Sequence, residues 1–240
     1  MVNTIFDVLI INGRPASGKS ETIDFLLKMD AKERRERFHI GEVDVIDDFP
    51  MLWTWFEEDA ILEKVLHKPR LHTDAEGFFL HSYQWDLLIR RMNLEYGKRV
   101  RDDHRYHGHT TTVIEFSRGT QHGGYERAYS HLNPEILRKA GILYVNCSYE
   151  ESKRKNRRRF NPEKPDSILE HGLPDHKLDK LYKEIDWETF RGSDPDEITI
   201  QGVKVPYAEL PNEPEVTHAY EAWAPAFEAA TSKLWKGLGG

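Results

Sequence analysis

A short run of residues near the start of the chain has the residue types and the spacing needed to bind phosphate. Residues 13–20 read Gly-Arg-Pro-Ala-Ser-Gly-Lys-Ser and match the pattern G-x-x-x-x-G-K-[ST] at every fixed position. Gly13 and Gly18 allow the backbone to pass close to a phosphate group, and the N–H groups of such a loop point at the anion. We expect the Lys19 ammonium to contact the outer phosphates and the Ser20 hydroxyl to bind Mg²⁺.

The segments on both sides of this loop have the character that such a site requires. Residues 5–11 form a short apolar run rich in β-branched side chains, which predicts a buried parallel strand. Residues 21–29 carry apolar side chains at helical spacing and predict a helix. In this order, strand, loop and helix place the positive end of the helix dipole at the bound phosphates.

This combination is the Walker A motif, and the chain resembles the P-loop nucleoside-triphosphatase superfamily. The order of its motifs is similar to that of zeta toxins, adenylate kinases and other small-molecule kinases. The resemblance implies ATP and Mg²⁺ as cofactors. It also implies that the nucleotide phosphates lie against the loop and the start of its helix, which comprise Gly13, Arg14, Pro15, Ala16, Ser17, Gly18, Lys19, Ser20 and Glu21.

A second β-branched run, residues 110–116, carries an acid near its end, Glu115. A buried strand that ends in an acid beside a phosphate-binding loop supplies a partner for Mg²⁺ or for water, so Ser20 and Glu115 are the predicted metal ligands. Arg118 follows at the carboxyl end of the strand, where ligands bind in open α/β sheets, and is a candidate for substrate binding. Nucleoside kinases are loosely similar here, although their arginine directly follows the acid. A surface acid at a strand end is the alternative interpretation.

A pair of acids, Asp47 and Asp48, closes the strand predicted from residue 38 onward. Small-molecule kinases of this superfamily commonly carry an acid just after their second strand, where it binds the acceptor hydroxyl and accepts its proton. The resemblance implies this role for Asp47 or Asp48 and does not choose between them. Either carboxylate could instead cap the following helix.

A basic run follows the strand predicted over residues 141–147. Drawn as a helix, it places three arginines on one face: Arg154, Arg157 and Arg158. Three guanidinium groups on one face suit a triphosphate whose charge must be held during transfer. P-loop kinases carry lid arginines on a similar helix, which implies a lid over residues 150–186, and we expect the turn-rich residues 160–174 to be mobile. A solvated helix face or a nucleic-acid patch is the alternative.

The region between the second strand and the Glu115 strand, residues 49–108, predicts a helical insert. P-loop kinases carry acceptor-binding helices in this position, and five side chains are candidates for contact with a planar or sugar-like acceptor: Trp53, Trp55, Tyr83, Gln84 and Trp85. An aromatic stripe at helical spacing is more often core packing than a binding wall. After the hairpin predicted over residues 197–207, Asn212 is a candidate contact to the adenine edge, by likeness to related kinases.

Together these segments predict one α/β domain over residues 1–240, a three-layer α/β/α sandwich with a mainly parallel five-stranded sheet. The chain has 240 residues and a formal net charge of −7, which disfavours a general nucleic-acid binder. Its single cysteine excludes an intramolecular disulfide framework. No apolar run approaches the roughly 20 residues that span a bilayer. We expect a cytoplasmic protein that is a monomer or a homodimer.

The sequence therefore favours an ATP- and Mg²⁺-dependent phosphotransferase that moves the γ-phosphoryl group to a small-molecule acceptor, such as a nucleoside, a nucleotide or a sugar. A nucleotide-dependent switch or ATPase with a protein or RNA partner is one alternative, and a polynucleotide kinase is another. The chain lacks the N-K-x-D sequence by which GTPases read their base. The expected catalytic residues are Lys19, Asp47 or Asp48, Glu115, Arg154, Arg157 and Arg158.

Overall fold

A six-stranded sheet forms the centre of the computed structural model, which describes residues 4–159, 163 and 173–240. Its strands lie in the order β2-β3-β1-β4-β6-β5, and every neighbouring pair is parallel except β5 and β6. They are β1 (Val8–Gly13), β2 (Glu42–Asp47), β3 (Thr110–Phe116), β4 (Ala140–Asn146), β5 (Glu197–Ile200) and β6 (Val203–Pro211). The predicted α/β class is confirmed.

The sheet has one strand more than the sequence predicted, because the first arm of the hairpin pairs with β6 as an antiparallel edge strand. The two residues of its turn, Gln201 and Gly202, both have positive φ values, 51° and 77°. Positive φ at both central residues is the geometry that matches the twist of a two-residue hairpin.

Helices cover both faces of this sheet. In chain order the helices are α1 (Lys19–Lys28), α2 (Ala31–Phe38), α3 (Asp48–Lys64), α4 (Tyr83–Asp102), α5 (Tyr106–His109), α6 (Gly124–His131), α7 (Pro134–Leu137), α8 (Tyr149–Arg159), α9 (Asp175–Tyr182), α10 (Trp187–Arg191) and α11 (Tyr220–Gly237). One core cluster packs α4, α6, α7 and α10 against the sheet, and the other packs α1, α2 and α11 against its opposite face. This is the three-layer arrangement.

Alternation along β1 shows why the first strand lies at the centre of the sheet. Val8 and Ile10 belong to one core cluster, whereas Leu9 and Ile11 belong to the other. All four are fully buried. A strand buried on both faces reads as a continuous apolar run, and such a strand directs the loop that follows it towards the carboxyl edge of the sheet.

The region between β2 and β3 contains α3, α4 and a loop that a single buried carboxylate holds in place. Asp59 accepts hydrogen bonds from the backbone N–H groups of Leu71, His72 and Thr73 and from the Thr73 hydroxyl. Burial works against its charge, but these hydrogen bonds together lower the pKa of Asp59 below its usual range. The loop before α4 is therefore fixed against the middle of α3.

Within the described part of the chain, we find no helix with the length and the apolar character that crossing a bilayer requires.

Candidate nucleotide-binding site

The loop between β1 and α1 has a backbone that only glycine can adopt at two positions. Gly13 and Gly18 have φ values of 150° and 114°. A Cβ atom on Gly13 would lie 2.5 Å from the Ser17 hydroxyl and 2.6 Å from the Val145 carbonyl oxygen. A Cβ atom on Gly18 would collide with the Asn212 amide. The two glycines of the motif are therefore required by the packing of the loop as well as by close approach to a ligand.

Polar groups in this loop are left without a partner inside the protein. The Ser17 hydroxyl is buried and has no hydrogen-bond partner, which is rare for a buried polar atom. Because α1 begins at Lys19, its first N–H groups have no intrahelical acceptors. Together with the positive end of the helix dipole, these donors fit the oxygen atoms of a phosphate chain.

Lys19 lies folded against the loop, with its ammonium almost fully buried. Its Nζ atom donates a hydrogen bond to the Arg14 carbonyl oxygen at 2.9 Å and lies 3.6 Å from the Glu115 carboxylate. Both contacts can be exchanged for phosphate oxygens by rotation about the side-chain bonds. Ser20, by contrast, is exposed at the first turn of α1 and lines the cleft described below.

Two carboxylates lie side by side at the carboxyl edge of the sheet. Asp47 of β2 is the register partner of Glu115 of β3. Burial raises the pKa of Glu115, although the nearby Lys19 ammonium opposes the shift. Burial, together with the charges of Glu115 and Asp48, raises the pKa of Asp47 to about 8. These two acids are thus neighbours at the carboxyl edge of the sheet, and the Lys19 ammonium lies beside one of them, Glu115.

The structure separates the roles of Asp47 and Asp48. Asp48 forms a buried ion pair with Arg118, in which Nη1 lies 2.5 Å from the carboxylate oxygen. Asp47 accepts a hydrogen bond from the Phe49 N–H at 2.8 Å and so caps α3. The capping alternative that the sequence left open is thus present, but it occupies only one oxygen of Asp47. Arg118 also lies over the Trp85 ring, 5.2 Å from its centroid.

A cleft of about 830 Å³ opens from the loop. One wall carries the phosphate-binding loop, Asp47, Asp48, Glu115 and Arg118. The other wall is mainly aromatic, and its rings come from α3, α4 and the loop between them: Phe49, Trp53, Phe56, Phe78, Phe79 and Trp85. Concave, largely apolar walls with a few convergent polar groups are typical of small-molecule sites.

The three arginines predicted for the lid face of α8, Arg154, Arg157 and Arg158, do not line this cleft. Each of their side chains is more than half exposed. Each forms a surface ion pair: Arg154 with Glu151, Arg157 with Asp175 and Arg158 with Glu215. This is the solvated helix that the sequence left as an alternative. The predicted mobile residues 160–174 lie almost entirely outside the described residues.

The opposite face of α8 is the one that meets the phosphate-binding loop. Ser152 is fully buried and donates a hydrogen bond to the Pro15 carbonyl oxygen at 2.7 Å. Asn156 and Arg159 line the cleft. Helical spacing shows which residues of α8 share a face. The burial of Ser152 and Asn156 shows which of its faces packs against the protein.

Asn212 supports the loop from behind and has no amide group left for an adenine edge. Its amide nitrogen donates to the Ser17 carbonyl oxygen and to the Thr217 hydroxyl. Its amide oxygen accepts from the N–H groups of Val216 and Thr217. The predicted contact to adenine is thus replaced by a structural role, which depends on pairing across nearly two hundred residues.

Of the five acceptor candidates in the insert, Trp53 and Trp85 line the cleft, whereas Trp55 is buried against the His72 and Phe79 rings. Gln84 is buried and bridges the His81 N–H and the His72 carbonyl oxygen, so it fixes the loop before α4. Tyr83 is 57% exposed and does not line the cleft, although its ring stacks on that of His81, which does. The sequence missed His122, which follows Arg118 and stacks on Trp85 with ring centroids 3.7 Å apart.

The raised pKa of Asp47 gives an expected dependence of stability on pH. Because the folded protein holds a proton on Asp47 up to about pH 8 and the unfolded chain releases it near 3.8, ionisation destabilises the fold progressively between these values. Asp47→Asn keeps the helix cap but has no charge to bury. We expect its melting temperature to exceed that of the wild type by a margin that grows from pH 5 to pH 8. Thermal unfolding in EDTA measures this margin, and a constant margin would contradict the assignment.

Comparisons with known proteins place the fold. No family model and no curated protein matches the sequence. Among solved structures, Chaetomium thermophilum Kti12 in complex with ADP-AlF3 matches 97% of this chain and 100% of its own, with a TM-score of 0.53 and 14% identity. The structure of APE1195 matches 65% of this chain and 68% of its own, with a TM-score of 0.35 and 17% identity. The likeness to Kti12 shows that the chain has a P-loop NTPase-like α/β/α fold.

Proposed function

We propose that the protein binds ATP with Mg²⁺ at residues 13–21 and transfers the γ-phosphoryl group to a small-molecule acceptor held in the cleft. The observation that carries this proposal is that the phosphate-binding loop and the aromatic cleft adjoin each other. The loop with its unpartnered donors opens directly onto an aromatic-walled cleft of about 830 Å³. The carboxylates of Asp47 and Glu115 lie where the loop and the cleft meet.

The residues of the loop fit the nucleotide. Loop N–H groups and the Lys19 ammonium would bind the phosphate oxygens, and Ser20 and Glu115 would hold the metal ion. Bound Mg²⁺-ATP supplies the γ-phosphoryl group and the positive charge that neutralises its oxygens. Lys19 exchanges its contact with the Arg14 carbonyl oxygen for the phosphates, and in this position it stabilises the charge that develops during transfer.

Asp47 is the acid that we assign to the acceptor hydroxyl. The charge of Asp48 is already compensated by Arg118, whereas Asp47 has one oxygen free of the helix cap. Burial and the Glu115 charge raise the pKa of Asp47 to about 8, and a cation held at Glu115 would lower it again, so that the Asp47 carboxylate could accept a proton near neutral pH. The Asp48–Arg118 pair then acts as a positioning element beneath it.

Asp47→Asn tests this role, because asparagine keeps the cap but cannot accept the proton. We expect kcat for the acceptor to fall about 10²- to 10⁴-fold, the usual contribution of a general base. The KM for ATP should change little, since Asp47 lies on the acceptor side. Steady-state kinetics with both substrates give the two parameters. An unchanged kcat would remove Asp47 from the mechanism.

A nucleotide-dependent switch is a second candidate, and one contact favours it. Arg14 of the loop donates hydrogen bonds to the carbonyl oxygens of Tyr182 and Lys183, at the carboxyl end of α9. Rearrangement of the loop around a triphosphate would thus be felt directly by α9. In such a protein, hydrolysis would proceed without any small-molecule acceptor.

A screen for ADP release distinguishes these functions. Purified protein is mixed with Mg²⁺-ATP and a panel of nucleosides, nucleotides and sugars, and Lys19→Ala serves as the blank. Acceptor-dependent ADP release that disappears in the blank supports the phosphotransferase. Slow release that no acceptor accelerates, and that Lys19→Ala still abolishes, supports the switch. Release that persists in Lys19→Ala would contradict both.

A further inference from the structure

The far end of the cleft carries two lysines that form no ion pair with any carboxylate of the described residues. Lys177 and Lys180 are three residues apart on α9, so they share one face of that helix, and both line the cleft. Their ammonium groups lie 5.3 Å and 3.8 Å from the centroid of the Phe78 ring. Lys177 also donates a hydrogen bond to the Gly77 carbonyl oxygen at 3.3 Å.

The basic residues of the neighbouring helix α8 show how unusual this arrangement is. Lys153 pairs with Asp179, Arg157 with Asp175, and Arg158 with Glu215. Surface cations of this region thus have local acids, whereas Lys177 and Lys180 contact only the Phe78 ring and the Gly77 carbonyl group among the residues that the structure describes. Among the described residues, the basic side chains on the outer surface have acidic partners, and the two lysines of α9 that line the cleft do not.

Lys177 is also partly removed from water. Burial lowers its pKa, and the charges of Asp74 and Glu76 oppose this effect only at longer range. A desolvated ammonium without a direct counter-ion costs free energy. An anion that enters the cleft would supply the missing charge-assisted hydrogen bonds.

The contacts of Lys177 near Gly77 place the two lysines beside the middle of α3, away from the reacting groups. A Cβ atom on Gly77 would lie 2.5 Å from the Lys177 ammonium and 3.3 Å from the Phe56 ring. Phe56 lies on the same helix as Asp48, and at 1.5 Å per residue about 12 Å of helix separates the two. The lysines therefore lie at the opposite end of the aromatic wall from Asp47 and Glu115.

We propose that Lys177 and Lys180 form an anion subsite for the acceptor. The acceptor then has a hydroxyl group at one end, a planar or apolar body against the aromatic wall, and a phosphate or carboxylate about 12 Å away, in keeping with the helix rise. This inference rests on the proposed function for the hydroxyl end only. The anion subsite itself requires no phosphoryl transfer.

Titration calorimetry with matched pairs of ligands tests the subsite. The phosphate pairs are uridine 5′-monophosphate with uridine, and ribose 5-phosphate with ribose. The carboxylate pair is 4-hydroxyphenylacetate with the uncharged alcohol 2-(4-hydroxyphenyl)ethanol. Each ligand is titrated into the full chain with and without saturating Mg²⁺ and a non-hydrolysable ATP analogue. We expect at least one charged member to bind about tenfold more tightly than its uncharged partner, as charge-assisted hydrogen bonds provide.

The double variant Lys177→Met/Lys180→Met should reduce that preference to less than about twofold, while methionine keeps most of the apolar packing of the lysine stems. Lys32→Met/Lys236→Met removes the same charge from α2 and α11, outside the cleft, and should keep the preference. A preference for phosphate alone or carboxylate alone identifies the source of the anion.

Two results would overturn the subsite: equal binding of every charged and uncharged partner by the wild type, or an undiminished preference in the Lys177→Met/Lys180→Met protein. The same titrations report the proposed function separately. Failure of the ATP analogue to bind, with an intact preference for the charged ligands, would refute the nucleotide site and keep the anion subsite. Melting temperatures of all variants confirm that each protein is folded.

Discussion

Replacement of Lys19 by alanine is expected to lower nucleotide turnover by about 10²- to 10³-fold or more, the effect of removing a donor that stabilises transition-state charge. The Lys19 ammonium is the buried cation closest to both the loop carbonyl groups and Glu115. Alanine leaves the loop backbone intact, because the glycines and Asn212 hold its shape. Turnover should therefore fall without loss of the fold.

Lys28→Ala is the matched control for this variant. Lys28 lies at the other end of α1, is exposed, and pairs with Asp24, so its loss should leave turnover within about twofold of the wild type, as expected for a surface ion pair. Circular dichroism and thermal unfolding verify the fold of both proteins. Wild-type turnover in folded Lys19→Ala would show that the loop does not hold the reacting phosphates.

Arg118→Ala is expected to have the largest effect on stability, a loss of about 3–5 kcal/mol, because it leaves a buried carboxylate without its partner. Arg118 is 2% exposed and Asp48 is 7% exposed. The guanidinium also donates to the Ser117 carbonyl oxygen and lies between the Trp85 and Phe116 rings. Urea unfolding of the two proteins gives the free-energy difference.

Two further variants show whether the uncompensated charge causes that loss. Arg118→Met/Asp48→Asn removes both charges and should recover a large part of the lost stability, since the penalty belongs to the unpaired carboxylate. Arg154→Ala removes an exposed arginine with a surface partner and should cost less than about 1 kcal/mol. Equal losses in Arg118→Ala and in the double variant would attribute the effect to packing of the arginine side chain instead.

The phosphate-binding loop was predictable because its chemistry is local. Gly13, Gly18 and Lys19 act within one strand–loop–helix unit, so their spacing alone determines their arrangement. The sequence placed Asp47 and Glu115 each at the end of a strand, and the structure adds that these two strands are parallel neighbours. What the sequence did not show was the partner of Asp48, because the contact with Arg118 closes a loop of seventy residues.

The parts of the cleft that the sequence misjudged depend on contacts between distant elements. The α8 arginines share a face, but burial of Ser152 and Asn156 turns the other face inward. Lys177 follows a turn-rich stretch without a motif, and only the fold brings it to Gly77, a hundred residues earlier. No periodic pattern in the sequence indicates that Lys177 contacts Gly77.

The hydrogen bonds of Asn212 with Ser17 and Thr217 have a consequence for the order in which the protein can be made. A ribosome completes the strand–loop–helix unit first, and the brace for its loop, Asn212, follows 195 residues after Ser17. At about 5–20 residues per second, Asn212 is synthesised on the order of ten seconds or more after the loop that it supports. Capture of nucleotide by the growing chain should therefore begin only when the segment after β6 has left the exit tunnel.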